Sequence, residues 1–585
     1  MKNNNIKFSA LFLLCVTSIS CYAQQKDFEM SNPIEFKESG WNKVLCMKNG
    51  NTLLFHFAPT KPLMIKVYDS THKRIANQEY NCRILDLDVL KTSEFKGLFD
   101  INGDAVLFIE QEHLSKFGLV RLRFDGRNGQ LIDEKLVKES PGISKRQSFY
   151  VMKNKEEDNY AILFSTDDPN FYTCDMHVSY FNGKHELVKE IPLNIDRKKY
   201  DSVGIVCAEI MPQGVCVALD MQKMVVNRTD SKENPQLAVY DHQVAFFYIP
   251  KDSTRVNERI VDMSTDVNPY YSEFTYNLFA KTINLLVFSY REIFYQFGVD
   301  VRRGTALGNM FFKIDEDNSD IKLNWVKNDS VSAAMKHKTD TSKIFYGMPL
   351  AMFTNENGLT TLVSESYERY DEPESGITNY YTSTSKPNSA ARRTIARSQS
   401  YQQYGESENG ARYDWNTYFG NIGITQLDDD GNEMWGTVLP NAEYLKSNLH
   451  YYRPKEIAKK NQSHKIFDDL PAQVAERQFV SLNSYSWNKN LYIIFNDGDG
   501  NYQSKESLQQ DTIYNLENTN ACYYKMTGKK IITKNYLLGE PVRNEYKCSF
   551  IEGADFDDQR GVYATLIQYK RNNETSLRMA WRHLD

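Results

Sequence analysis

One acidic, glycine-rich segment has the spacing of a calcium-binding loop. Asp497-Gly498-Asp499-Gly500-Asn501 places oxygen-bearing side chains at alternate positions, and Ca²⁺ prefers oxygen ligands. An EF-hand loop would also need glycine and glutamate at the positions of Tyr502 and Leu508. We therefore predict turns and no metal site here. The same holds for two triplets in hairpin turns, where Asp and Asn are favoured: Asp315-Asp317-Ser319 and Asp428-Asp430-Asn432.

Aromatic, arginine and carboxylate residues gather at the ends of several predicted strands. Aromatic rings beside these charged groups suit carbohydrate stacking and hydrogen bonding, or a protein hot spot. The same residues could equally cap a strand end and solvate it. The candidate ligand-binding residues are Tyr290, Arg291, Glu292, Tyr367, Arg369, Tyr370, Asp497, Asp499, Asn501, Tyr569 and Arg571.

No catalytic residue follows from the sequence. It contains no nucleophile elbow and no HExxH motif. The densest histidine-containing group is Cys174-Asp175-Met176-His177, on a predicted strand where a histidine is usually structural. Glycosidases need only two carboxylates that converge in space, and 76 acidic residues leave that open. We expect no cofactor and favour a non-catalytic protein over an enzyme.

The elements that would position these residues form an eightfold repeat. Each unit starts with an apolar strand, a tight turn such as Asn49-Gly50 or Asn102-Gly103, and a strongly apolar strand. The second strands are apolar on both faces, which indicates burial on both sides. They are Thr52–Phe55, Ala105–Phe108, Tyr160–Phe164, Val215–Leu219, Leu285–Phe288, Leu359–Val363, Leu491–Phe495 and Val562–Ile567.

A second, more polar hairpin follows in each of the first seven units. Units of four strands that stack on one another predict a β-propeller. The eighth unit ends in a third strand, Ser576–Arg582, and the extended segment Asn32–Phe36 precedes the first unit. Pairing these two segments would close the ring and remove an exposed edge. We predict an all-β propeller of eight four-stranded blades closed by the N-terminal strand, with seven blades as the alternative.

Long connections are expected on one face of this propeller. If strands a to d run outward from the channel, the b–c and d–a connections share a face. Long connections are usually functional or disordered. Glu372–Asp414 is poor in aliphatic residues, which predicts a mobile loop at about residues 367–416 or one that orders on a partner. The other long connections cover Met221–Gln236, Asp497–Ala521, Asp329–Phe345 and Asn441–Arg477.

One outer hairpin carries a family resemblance. Leu427-Asp428-Asp429-Asp430-Gly431-Asn432-Glu433-Met434-Trp435 resembles the LDxDGNxxW-type strand–turn–strand pattern of exported bacterial β-propeller proteins, and Ile314–Trp325 is a looser copy. The resemblance implies the fold and names no function. The hairpin is also similar to the Asp-box of sialidases, but Leu427 and Met434 stand where that motif needs a hydroxyl and an aromatic residue.

The N-terminus has the organisation of a secretory signal. Basic Met1–Lys7 precedes the apolar run Phe8–Ile19, which is shorter than the roughly 20 residues that span a bilayer. We predict cleavage after Ala23 and a periplasmic or extracellular propeller domain over residues 24–585. Lipid anchoring at Cys21 is the minority alternative.

Composition narrows the class of partner. The net charge of −6 with mixed signs gives no indication of nucleic-acid binding, and no second apolar stretch reaches spanning length. After cleavage the cysteines are odd in number and widely spaced, although Cys207 and Cys216 could face one another across a hairpin. We expect an exported binding protein of the bacterial cell envelope, with a glycan or an envelope protein as partner and its oligomeric state open. A polysaccharide-active glycosidase or lyase, and a structural subunit of an envelope complex, are the alternatives.

Overall fold

The computed structural model is an all-β ring of eight antiparallel blades, a β-propeller. The eight-blade prediction is therefore confirmed over the seven-blade alternative. The structure describes residues 28–584 except 37–39, 59–60, 89, 91–92, 114–115, 140–145, 155, 169–172, 228–236, 264–267, 294–302, 316–319, 340–344, 346, 373–413, 448–463, 466–478, 480, 499–500, 502–512, 514–517, 529 and 573. The predicted signal segment lies outside the described residues.

Strands a to d of the first four blades follow one another along the chain. Blade 1 contains β2 (Trp41–Cys46), β3 (Thr52–Phe57), β4 (Leu63–Tyr68) and β5 (Arg74–Tyr80). Blade 2 contains β6 (Glu94–Ile101), β7 (Asp104–His113), β8 (Lys116–Asp125) and β9 (Leu131–Glu139). Blade 3 contains β10 (Arg146–Lys153), β11 (Tyr160–Asp168), β12 (Thr173–Phe181) and β13 (Leu187–Pro192). Blade 4 contains β14 (Ser202–Met211), β15 (Gly214–Asn227), β16 (Leu237–Pro250) and β17 (Asn257–Asp262).

The later blades carry the additional elements. Blade 5 contains β18 (Asn268–Asn277), β19 (Thr282–Ile293), β20 (Arg303–Asp315) and β21 (Ile321–Val326). Blade 6 contains β22 (Gly347–Thr354), β23 (Thr360–Glu372), β24 (Asp414–Leu427), β25 (Glu433–Leu439) and the added β26 (Glu443–Ser447). Blade 7 contains β28 (Leu482–Trp487), β29 (Asn490–Asp497), β30 (Asn520–Thr527) and β31 (Lys530–Tyr536), while β27 (His464–Lys465) pairs with β6. The helical elements described are the 3₁₀-helix Arg197–Lys199 and α1 (Asp329–Thr339).

Blade 8 is completed by the N-terminal strand. It contains β32 (Glu545–Ser549), β33 (Asp555–Asp557), β34 (Val562–Arg571) and β35 (Glu574–His583), and its fourth strand is β1 (Phe28–Met30). The predicted ring closure is confirmed, but regular pairing begins before the segment Asn32–Phe36. Pro33 has no N–H to donate, so this segment adds the single bridge from Ile34 to Leu577.

Hydrophobic faces of adjacent blades form the core. All six residues of β3 are buried, as its apolar pattern predicts. Phe55 packs edge-on against Phe124 of blade 2, with ring centroids 5.6 Å apart, and Phe246 packs against Phe312 between blades 4 and 5 at 5.3 Å. Strand β3 is thus covered on both faces, and ring packing of this kind holds neighbouring blades together.

The cysteines and helices bear on two further expectations. Cys207 pairs in register with Ala218 and Cys216 with Glu209, so the two thiols do not lie directly opposite as the sequence suggested. Neither forms a disulfide bond, and nor do the other five described cysteines. In the part of the chain that the structure describes, no helix is long and apolar enough to span a membrane.

Candidate functional site

The candidate residues on blades 5 and 6 occupy the last parts of their b strands. Tyr290, Arg291 and Glu292 lie in β19, whereas Tyr367, Arg369 and Tyr370 lie in β23. Strand pairing continues to Glu372 opposite Asp414, so the described hairpin extends past residue 367 and its connection comprises residues 373–413. That connection and Asp499 lie outside the described residues.

The face that carries the b–c and d–a connections is called the long-connection face below. Its longest connections follow Glu372 and Asp497 between b and c strands, and Val326 and Leu439 between d and a strands. The opposite, short-turn face carries the a–b and c–d turns. The C-terminal ends of the b strands β19, β23, β29 and β34 therefore lie at the long-connection face.

Asp497 is used inside the protein. Its carboxylate contacts the Lys534 ammonium, and each of these side chains is only 1% exposed. The Lys534 Nζ lies 5.3 Å from the ring centroid of Phe495 and 5.8 Å from that of Tyr524. Burial lowers the pKa of Lys534 to about 7, while the adjoining carboxylate favours its charged form. Asn501 is buried as well, so neither predicted residue presents its side chain openly to a ligand.

Tyr569 belongs to a polar cluster at the rim of blades 7 and 8. Its hydroxyl donates to Glu545 Oε1 at 2.7 Å, and the Arg578 guanidinium lies 4.5 Å from its ring centroid. The Lys547 Nζ is 3.3 Å from Glu545 Oε2. The backbone N–H of Lys547 donates to the side-chain oxygen of Asn520, which pairs with Asp497 between strands β29 and β30. The structure thus connects two of the predicted strand ends through Asn520, whereas Arg571 is exposed at the end of β34.

An open pocket lined mainly by charged residues lies between blades 2 and 3 and was not predicted. Its volume is about 520 Å³, and we call it the blade 2–3 pocket. Glu139 and Pro192 are the last residues of the d strands β9 and β13, so the pocket lies toward the long-connection face. Its described lining consists of Lys138, Glu139, Phe164, Asp175, His177, Glu190 and Pro192.

A chain of polar contacts runs through this pocket. The Lys138 Nζ lies 2.7 Å from His177 Nε2 and 3.3 Å from Glu190 Oε1, and 5.2 Å from the ring centroid of Phe164. The Ser179 hydroxyl donates to the other Glu190 oxygen at 3.3 Å. His177 Nδ1 is 3.6 Å from Asp175 Oδ1, which is longer than a direct hydrogen bond.

The pocket carries a surplus of negative charge. Burial, followed by the charge of Lys138, lowers the pKa of His177, so its imidazole is neutral and Nε2 accepts from Lys138. Burial acts to raise the pKa of Glu190, but the charge of Lys138 and the hydrogen bonds from Lys138 and Ser179 act in the opposite direction, and the pKa is lowered. Among the described lining residues, the one ammonium of Lys138 therefore faces the carboxylates of Asp175 and Glu190. Asp175 is 71% exposed and Glu190 is 42% exposed, so both can reach a ligand.

A local sequence signal for this pocket exists but is incomplete. Asp175 and His177 alternate on β12, which places them on the same face of the strand. Their neighbours come from the register of His177 with Pro192 and from the packing of blade 2, which brings Lys138 alongside. No sequence motif indicates either of these two contacts.

The described residues include no group of three or more His, Cys, Asp or Glu side chains arranged to hold a metal ion. No protein-family model and no curated protein matches the chain. Among solved structures it is similar to the WD40 domain of SCAP from fission yeast, at 8% identity and a TM-score of 0.31, covering 96% of this chain and 99% of that one.

Two further solved structures are carbohydrate-related proteins by name. A lectin from Burkholderia pseudomallei matches at 8% identity and a TM-score of 0.32, over 85% of this chain and 100% of that one. An endo-arabinase from Bacteroides thetaiotaomicron matches at 13% identity and a TM-score of 0.21, over 45% of this chain and 92% of that one. At these values the comparisons assign neither a family nor a ligand.

Proposed function

We propose that this chain is an exported, non-catalytic binding protein of the bacterial cell envelope, which holds a glycan or protein partner on its long-connection face. One observation carries the proposal: the blade 2–3 pocket and the Tyr569 cluster both lie toward this face. Ligand sites combine a concave surface with a few convergent polar groups, and the pocket has both features.

The construction of the short-turn face supports this division. Its turns are bonded from blade to blade: the Lys48 N–H and Nζ donate to Asp100 and Asp158 at 2.7 and 2.6 Å. The buried Asn277 side chain donates to the Gly358 carbonyl of the next blade at 3.3 Å. These polar groups of the short-turn face are thus engaged in joining neighbouring blades.

The position of the N-terminal strand fits an exported or tethered protein. Phe28 pairs with Arg582 near the end of β35, where the first seven blades have their c–d turn. The chain therefore enters blade 8 from the short-turn end. A leader or lipid attached before Phe28 would leave the long-connection face accessible to a partner.

A polysaccharide-active glycosidase or lyase is the second candidate, and the convergence of carboxylates with His177 and Lys138 in the pocket favours it. A glycosidase needs one carboxylic acid with a raised pKa to protonate the leaving group. The pKa of Glu190 is lowered instead, which makes it suited to hold a charge and unsuited to donate a proton. The binding function is therefore the better supported of the two.

The test is a glycan-array and pull-down screen of residues 24–585. A parallel variant replaces residues 373–413 with Asn-Gly, because Glu372 and Asp414 already pair and a two-residue turn can join them. Lys489→Ala, at the exposed ion pair with Glu356 on the short-turn face, is the matched control.

We expect retention of a glycan or protein that is unchanged in the control and weakened by the loop replacement or by substitutions in the pocket. Retention that is weakened only by short-turn substitutions would contradict the choice of face. Depletion of a glycan during the screen would establish the enzyme in place of the binding protein. Isolation of the chain in a fixed stoichiometric complex would favour the structural subunit.

A further inference from the structure

We infer that the blade 2–3 pocket binds an amino-sugar unit of a glycan, through its free ammonium group and adjacent hydroxyls. This inference rests on the proposed function and names the class of ligand for one site on the same face. It combines three properties of the pocket: its charge, its mixture of donors and acceptors, and its size.

The charge of the pocket favours a cationic ligand. The carboxylates of Asp175 and Glu190 outnumber the Lys138 ammonium, and the His177 imidazole, whose Nε2 accepts from Lys138, adds no charge. An ammonium group placed among them forms charge-assisted hydrogen bonds, which are stronger than bonds between neutral groups. A neutral sugar would leave this surplus uncompensated, and an acidic sugar would be repelled.

The position of Lys138 favours a ligand that also carries a hydrogen-bond acceptor. Its Nζ donates to His177 and Glu190 and lies at the pocket wall. An ammonium has three donors, so it can also bind a hydroxyl oxygen of a ligand. The 3.6 Å separation between His177 Nδ1 and Asp175 Oδ1 is one that a hydroxyl can bridge, accepting from the imidazole and donating to the carboxylate.

The size of the pocket suits a short stretch of glycan. A volume of about 520 Å³ falls within the range of roughly 300–1,000 Å³ typical of small-molecule sites. A hexosamine presents an ammonium and vicinal hydroxyls on one rigid ring, which matches groups of both signs at little cost in conformational entropy. A basic peptide of lysines offers ammonium groups but no hydroxyl that can accept from the His177 imidazole and donate to Asp175, so the amino sugar is the better match.

The experiment measures binding of three probes by titration calorimetry at about pH 6, where amines are protonated. The probes are the β-1,4-linked tetramer of glucosamine, the same tetramer with every amine acetylated, and tetralysine. We expect the glucosamine tetramer to bind at least about tenfold more tightly than either of the others, because only it offers both ammonium and hydroxyl groups.

Two variants and a control locate the site. Asp175→Asn removes the charge of a well-exposed side chain, and Glu190→Gln removes the carboxylate next to Lys138; each should weaken binding about tenfold or more. Asp262→Asn, at the end of the equivalent d strand of blade 4, should leave binding unchanged. Thermal unfolding of each variant reports whether the fold is retained.

Equal binding of the acetylated tetramer, preference for tetralysine, or insensitivity to both pocket variants would each overturn the inference. Absence of binding to the glucosamine tetramer would do so as well. The proposed function is tested separately. If the chain binds no amino sugar but retains another glycan or protein on the long-connection face, the proposed function stands and only the amino-sugar inference is wrong.

Discussion

At the scale of the residue, the contact between Asp497 and Lys534 places two opposite charges where the sheets of blades 6 and 7 meet. Both side chains are almost fully buried, so each charge depends on the other. We expect Lys534→Ala to lower the free energy of unfolding by about 3–5 kcal/mol, because it leaves the buried Asp497 carboxylate without its counter-charge. Urea unfolding followed by circular dichroism measures this difference.

The matched control replaces both charges with apolar groups of similar volume. The double variant Lys534→Met, Asp497→Leu should be about as stable as the parent protein, since two apolar residues need no partner. A single Lys534→Ala variant as stable as the parent would show that water reaches Asp497 and that the pair is not structural.

His185 gives a pH dependence at the same scale. Burial, followed by the charges of Arg121 and Arg123, lowers the pKa of His185 to about 3, well below its value in an unfolded chain. Above about pH 6.5 the imidazole is neutral in both states and contributes nothing to the pH dependence. Below that pH His185 binds a proton in the unfolded chain but not in the folded chain, so stability is lost as the pH falls from 6.5 toward 3.

We expect this histidine to account for about 2 kcal/mol of lost stability at pH 5, because each pH unit below 6.5 corresponds to about 1.4 kcal/mol. In His185→Asn the fall in stability between pH 7 and pH 5 should be smaller by that amount. Asparagine is the suitable replacement because residue 185 has a φ of 64°, which asparagine tolerates. Identical pH profiles for the two proteins would contradict the assignment.

At the scale of the element, β1 is a short strand on which the closure of the ring depends. Glu29 Oε2 lies 2.9 Å from His72 Nδ1 of blade 1, and the His72 ring stacks on Trp581 at 4.4 Å. Ile34 is buried, and Phe28 packs against the residues between blades 7 and 8. The strand therefore joins blades 7, 8 and 1 as well as covering the edge of β35.

We expect a chain that begins at residue 38 to be at least about 3 kcal/mol less stable than one that begins at residue 27, because burying a single large apolar side chain contributes about 1.5–3 kcal/mol. A synthetic peptide covering residues 24–37 should restore the unfolding midpoint by adding the missing strand to β35. Equal stability of the two chains without the peptide would show that the ring closes by other contacts.

The strands and their closure were predictable because their signals are local. Asn49-Gly50 and Asn102-Gly103 mark turns by their own conformational preferences, and Gly50, Asn102 and Gly103 all have positive φ. The pocket was not predictable, because the relation of Lys138 to His177 depends on how one blade packs on the next. Asp497 and Asn501 were named as ligand-binding residues from their type, but burial of both depended on packing between sheets.

At the scale of the whole molecule, contacts on the short-turn face stabilise the ring, and we propose that the long-connection face binds the partner. Asn277 is fully buried on the short-turn face, where its side-chain oxygen accepts from the Phe279 and Ala280 N–H groups at 3.1 Å. Its amide also donates to Gly358 of blade 6. This one side chain thus fixes its own turn and connects two blades.

Asn277→Ala should therefore lower the free energy of unfolding by about 1–3 kcal/mol, because it removes three hydrogen bonds, one of them to the carbonyl of the buried Gly358. Asn182→Ala is the matched control: that asparagine accepts from Lys184 and Glu186 within its own turn, and its effect should be smaller. Affinity for a ligand of the long-connection face should be the same in both folded variants as in the parent, as calorimetry can measure. Weaker binding by folded Asn277→Ala would show that strain passes across the blades, and that the two faces do not act independently.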